Sequence, residues 1–228
     1  MKAARWYGQR DVRVDEVEPR DPNPNEVRIR VDYAGICATD LHEYTHGPQL
    51  ISTTPHPMTG RCAPLTMGHE FTGTVVDVGR GVIHLKKGDR VVAEATLPCG
   101  ECDSCKREQF VLCRQAAYLG FAWDGVFAEY CTIPARVCHK VPDTLDSVNG
   151  VLTEPLATGM HAVRRGRVQI GESVAVIGAG TIGLCSLLSA LAAGASRVFV
   201  VDPIAQKRTL AIELGTDRST SARFIAPI

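Results

Sequence analysis

Four cysteines, Cys99, Cys102, Cys105 and Cys113, follow the pattern C-x-x-C-x-x-C with a fourth after a gap of seven residues. That spacing lets four thiolates surround one zinc ion tetrahedrally. Four sulfurs leave no coordination position for a substrate, so such a site braces its lobe and chemistry belongs elsewhere. A disulfide pair, or a set of merely buried thiols, is the alternative reading. A second group is dispersed along the chain: Cys37 in GICATDLHEY, His69 with Glu70 in TMGHEFTG, and Glu154 in LTEPLATG. Cys37 and His69 each offer a zinc-type ligand from a loop beside a strand, and Glu154 offers a third. A mixed Cys/His/Glu set leaves one position open to water or substrate and can act as a Lewis acid. Taken singly, each has an ordinary reading, a packed thiol or a satisfied histidine.

A third chemical feature is GAGTIG, with Gly178, Gly180 and Gly183 enclosing Thr181 and Ile182. It fits G-x-G-x-x-G after a buried apolar run and at a helix start, where free N–H groups and the helix dipole favour a pyrophosphate. Asp202 follows Gly183 by 19 residues and closes the next apolar run. A carboxylate there accepts hydrogen bonds from the two ribose hydroxyls of NAD and repels the extra phosphate of NADP. The plainer reading is a glycine-rich turn that lets helix and strand pack.

These residues need elements to position them. The 228 residues are 45% hydrophobic, enough for one large or two ordinary domains with a substantial core. Lysine plus arginine equals aspartate plus glutamate at 25 each, so no global field recruits nucleic acid or an anionic membrane, and small molecules are the expected partners. The N-terminus interleaves charged and apolar residues, unlike a secretory signal. The most apolar stretch is broken by glycines and suits a strand, turn and helix better than a membrane span. A soluble, cytoplasmic protein is expected, with its nine cysteines reduced. Cys131, Cys138 and Cys185 lie in apolar surroundings and read as packing residues.

From Val27 to about Lys140 short β runs (VRIRVDYAG, FTGTVVDVG, DRVVAEAT, FAEYCTIP) are separated by turn residues, and the alternation in VRIRV implies one buried and one wet face. Residues 1–150 read as a β domain with a four-cysteine lobe at about 97–115. Residues 151–170 read as a connecting helix, with Pro155 near its start. Residues 171–214 follow as strand, helix, strand, helix, the opening of a nucleotide-binding sheet, and 215–228 as an atypical tail.

Together these motifs, with GHEFTGTVVDVGRGV from Gly68 to Val82, resemble the zinc-dependent medium-chain dehydrogenases over residues 1 to about 214. MKAARWYGQRDVRVDEV, the LHEY…GP segment and PHPMTGRCAPLTMGHE look most like the 2,3-butanediol dehydrogenase branch, and EPLA is also typical of the sorbitol and threonine dehydrogenase branches. The resemblance implies a GroES-like β-barrel catalytic domain followed by a Rossmann domain, in the class α/β plus β. It also implies two zinc ions per chain, NAD, hydride transfer from a secondary alcohol or vicinal diol, and homo-oligomers among full-length relatives. Cys37, His69 and Glu154 would hold the catalytic zinc, with Glu70 beside it as an occasional ligand; some polyol dehydrogenases use the Glu next to the His instead. Asp40 would orient His69. Thr39 would take the substrate proton and His42 deliver it to solvent through the cofactor ribose, while Thr158 could touch the nicotinamide. Ordinary turn, loop and surface roles stand as alternatives for Asp40, Thr39 and His42.

A doubly wound sheet normally has about six parallel strands. The sequence supplies two, and TDRSTSARFIAPI lacks a clear third. The chain is therefore expected to be a C-terminally truncated dehydrogenase with intact site motifs, impaired turnover and exposed apolar faces on strands 174–177 and 198–201. A zinc-stabilised module without chemistry is the competing class.

Overall fold

The computed structural model describes residues 1–216 and divides into two compact units, Met1–Glu154 and Pro155–Ile228. The expected tail lies, from residue 217 onward, outside the described residues. In chain order the first unit contains β1 (Lys2–Gly8), β2 (Asp11–Glu16), β3 (Glu26–Gly35), α1 (Ala38–His46), β4 (Leu65–Thr66), β5 (Glu70–Val78), β6 (Arg90–Ala93), β7 (Thr96–Leu97), α2 (Asp103–Lys106), β8 (Ala117–Tyr118), β9 (Tyr130–Pro134), β10 (Cys138–Lys140) and α3 (Ser147–Gly150).

Its main sheet has the order β10-β6-β5-β3-β9, antiparallel throughout. Val27, Ile29, Phe71, Val75, Val91 and Ile133 form its core. In β3, Val27 and Ile29 are buried while Arg30 is exposed, as the alternation requires. A three-stranded sheet, β2-β1-β4, and the short pair β7-β8 complete the strands.

The β1–β2 hairpin and α1 are not evident in the sequence. β1 buries Ala3 and Trp6 among charged neighbours, so its period is blurred. α1 is inverted: its buried residues are Asp40 and Glu43, while Leu41 and Tyr44 face solvent. A hydrophobic-periodicity rule looks for the opposite pattern. The expected loop carrying Cys37 is therefore the entry to a helix, and Cys37 is its N-cap residue.

α4 (Thr153–Arg165) runs from the end of the first unit into the second, which continues with β11 (Ser173–Ile177), α5 (Thr181–Ala192), β12 (Arg197–Val201) and α6 (Ala205–Glu213). β11 and β12 pair in parallel across the α5 crossover, Val174 opposite Val198 and Ile177 opposite Val201. Val176, Leu187, Ala190, Val198, Val200 and Ala211 pack together as this unit's core. The expected exposure of apolar strand faces is thus divided. Ile177 is 86% exposed, whereas Val198 and Val200 are fully buried.

Candidate metal centre and nucleotide loop

The ladder between β3 and β5 ends with Gly35 opposite Glu70. Two residues past Gly35 stands Cys37, and immediately before Glu70 stands His69, so the register itself sets Cys37 against the His-Glu pair. One ligand atom from each of Cys37, His69 and Glu70 lies within 4.8 Å of the others. The approach depends on Gly35, because a Cβ there would run into Glu70 Oε2. Glu154, in the first turn of α4, is close enough to act on both His69 and Glu70 electrostatically. The structure therefore brings Glu70 into the same donor group as Cys37 and His69, with Glu154 as a neighbouring charge.

His69 is buried, its ring 5.3 Å from that of Phe121 between centroids. Its Nδ1 faces Asp40 Oδ1 at 3.7 Å, and both atoms are buried without a hydrogen-bond partner. The other oxygen of Asp40, Oδ2, accepts from the Cys37 backbone N–H at 2.9 Å. Burial works against an imidazolium at His69, but contact with Cys37 and the charges of Asp40 and Glu154 outweigh it, and the pKa ends raised. Asp40 and Glu154 are both raised, each chiefly by burial and each opposed by His69. Three carboxyls and a thiol gathered around one buried imidazole are costly unless a cation neutralises them. Sulfur, imidazole and carboxylate together suit zinc. Thr39, in the first turn of α1, holds its Oγ1 3.5 Å from Cys37 Sγ. His42, one turn on, is exposed.

The sulfurs of Cys99, Cys102, Cys105 and Cys113 also lie within 4.8 Å of one another. Zn–S bonds of about 2.3 Å in a tetrahedron separate the sulfurs by about 3.8 Å. Cys99 and Cys105 are 3.8 Å apart and Cys102 and Cys105 3.6 Å, the edge lengths such a cage requires. Backbone N–H groups of Glu101 and Cys102 donate to Cys99 Sγ, and that of Cys99 to Cys113 Sγ. These donors favour thiolate, lowering Cys99, while the Cys105 N–H draws Cys102 down to about 6. Burial pushes Cys105 the other way, to about 12, and its contacts with the neighbouring sulfurs add to the rise. All nine cysteines are free, which sets the disulfide alternative aside. The thiols expected to pack, Cys131, Cys138 and Cys185, are buried.

In the second unit Gly178 closes β11 with φ +98°, a conformation glycine adopts without strain. A Cβ on Gly183 would collide with the Gly178 carbonyl, whereas one on Gly178 or Gly180 would meet no protein atom within 4 Å. The loop thus packs on its helix side and opens outward. Gly180 is the N-cap of α5, no side chain caps that end, and its first turn holds no acidic residue. Thr181 and Ile182, exposed in that turn, carry N–H groups free of intrahelical partners. Asp202 Oδ2 accepts from the loop N–H of Ala179 and Oδ1 from Ile204, both at 2.8 Å, and these bonds hold its pKa below the usual carboxylate range. Thr158 is exposed on α4. The loop and its neighbouring carboxylate fit a dinucleotide.

Sequence reading missed Glu43, whose carboxylate accepts from the backbone N–H groups of Gln49, Leu50 and Ile51 and whose carbonyl accepts from the Trp6 indole. The available signal was Asp40, three residues after Cys37, which marks a helix start and so places Glu43 one turn further on the same face.

Two clusters of metal-ligating side chains in an antiparallel β unit, followed in sequence by a parallel β-α-β unit with a glycine loop, match the architecture expected of the zinc-type dehydrogenase class. The chain belongs to the alcohol dehydrogenase GroES-like domain family, whose model matches residues 23–143. It is 41% identical over 217 residues to (R,R)-butanediol dehydrogenase of Bacillus subtilis, covering 94% of this chain and 62% of that protein. It is 36% identical to sorbitol dehydrogenase of Bombyx mori, covering 94% and 60%. The crystal structure of 2R,3R-butanediol dehydrogenase from Bacillus subtilis superimposes with a TM-score of 0.90 at 39% identity, covering 100% of this chain and 65% of that one. The chain spans about three fifths of the length of these curated relatives. Among the described residues no helix is long and apolar enough to cross a membrane.

Proposed function

We propose that this chain carries the metal and cofactor sites of an oxidoreductase that moves hydride between NAD and a secondary alcohol or vicinal diol. The observation that carries this reading is the convergence of Cys37, His69 and Glu70, with Asp40 behind the imidazole and Glu154 nearby. Cys37, His69 and one of the two glutamates would hold a zinc ion, and the four cysteines of the lobe a second. When bound, zinc supplies Lewis acidity towards an alcohol or carbonyl oxygen, and NAD supplies the hydride acceptor. Asp40 holds the His69 ring in one orientation. Thr39 takes the proton that leaves the substrate hydroxyl, and His42, exposed one turn further along α1, passes it to solvent. The glycine loop with Thr181 and Ile182 cradles the pyrophosphate, and Asp202 selects NAD by accepting from the adenosine ribose.

The similarity to a butanediol dehydrogenase favours a diol with adjacent hydroxyls, and the similarity to a sorbitol dehydrogenase makes longer polyols the second candidate. Zinc content and NADH binding of the parent and of Cys37→Ser test the assignment. Two zinc ions and NADH binding are expected in the parent, and one zinc with NADH binding intact in the variant. Two zinc ions retained in Cys37→Ser would remove Cys37 from the site. Oxidation of 2,3-butanediol measured against sorbitol decides between the substrates.

A further inference from the structure

We infer that His42 and His46 form a further divalent-metal site on the surface of α1, separate from the donor groups described above. The segment HEYTH matches H-E-x-x-H, in which two histidines one helical turn apart share a metal and the glutamate acts as general base. Both histidines are exposed, with ring centroids 6.1 Å apart and planes inclined by 35°. Thr45 Oγ1 donates its single proton to the Leu41 carbonyl at 2.7 Å, so its 2.7 Å contact with His46 Nδ1 must be accepted from an Nδ1–H. His46 is thereby fixed as the tautomer whose Nε2 carries the lone pair, the arrangement in which a ligating histidine donates through its other nitrogen. Metal–nitrogen bonds of about 2.1 Å bring two imidazole centroids about 5 Å apart. Closing the remaining distance takes a modest χ adjustment of two exposed side chains.

The hydrolytic half of the motif is absent in three dimensions. Glu43 is 1% exposed, and its carboxylate is occupied by the N–H groups of Gln49, Leu50 and Ile51. The site is accordingly a two-histidine chelate for a borderline cation such as Zn²⁺, Ni²⁺ or Cu²⁺, without Glu43 as a water-activating base. Occupancy engages the imidazole of His42, and through the proton path proposed above excess metal would slow turnover.

Titration of the zinc-loaded chain with Ni²⁺ tests the site without reference to activity. One further ion is expected, bound about tenfold or more weakly in His46→Ala and in His46→Gln, because either loses the second arm of the chelate. Control substitution His139→Ala, at another exposed histidine, should leave that affinity unchanged. Equal Ni²⁺ affinity in the parent and both His46 variants overturns the inference. If the ion binds the parent and is lost in the variants while turnover of the parent is unchanged with the site saturated, the chelate stands and the role of His42 in proton transfer falls.

Discussion

Asp40 Oδ1 and His69 Nδ1, buried 3.7 Å apart and otherwise unpartnered, define the chemistry at the residue scale. An unsatisfied buried polar atom costs about 1–3 kcal/mol, so two facing each other mark a place where a proton or a cation completes the set. A metal on the other side of the ring requires the tautomer in which Nδ1–H points at Asp40, and that contact then becomes a hydrogen bond. Asp40→Ala should weaken zinc at this centre by about 10–100-fold while leaving the metal of the four cysteines in place. Competition against a chromophoric chelator reads both sites, and unchanged affinity would reduce Asp40 to the helix-start residue that its bond to the Cys37 N–H also makes it.

At the scale of elements, the four-cysteine lobe has little apolar substance. Phe110, Val111 and Leu112 are 43%, 79% and 60% exposed, and α2 is one turn long. Hydrophobic burial cannot hold such a segment, so the zinc ion proposed for the four cysteines would order it. Removing metal with a strong chelator should open the chain to protease between about residues 100 and 112 while the main sheet stays resistant. Limited proteolysis followed by mass spectrometry checks this, and resistance equal to that of the metal-loaded protein would count against a structural ion. α1 presents the contrary case. It is ordered by polar interiors, since Asp40 and Glu43 each receive backbone N–H groups from neighbouring turns.

For the whole molecule, charge balance at 25 against 25 leaves pH dependence to individual carboxyls. In the first unit Asp77 is held low by Lys87, and Asp89 by Lys140 and the Lys86 N–H against its own burial. In the second Asp202 is held low by the N–H groups of Ala179 and Ile204. Each folded-state pKa lies below the unfolded value of about 3.9, so the folded chain binds fewer protons than the unfolded one. Their stabilisation is complete above that value and is lost as pH falls through the folded values. Asp40 and Glu154, raised by burial, pull the other way and lie beside the candidate metal centre. Urea midpoints recorded from pH 7 to 3 should fall on the acid side, and Asp202→Asn should be less stable at pH 7 with a shallower acid slope. An identical slope in the variant would show that Asp202 titrates alike in both states.

Much of this was written in local spacing. The cysteines at 99, 102, 105 and 113, the GAGTIG turn, the strands around VRIRV and SVAVI, and the family resemblance all rest on residues a few positions apart, where chain geometry fixes what can meet. The hairpin at the N-terminus and α1 escaped because their buried residues, Trp6 among charges and the acids Asp40 and Glu43, break the apolar periods that reveal strands and helices. Folding decided the rest. The β3–β5 register placed Glu70 in one donor group with Cys37 and His69, and burial turned Glu43 away from its neighbouring histidines. Coordination and proton transfer depend on distances of a few ångströms between residues dozens apart in sequence, and only sheet register and side-chain burial set those distances.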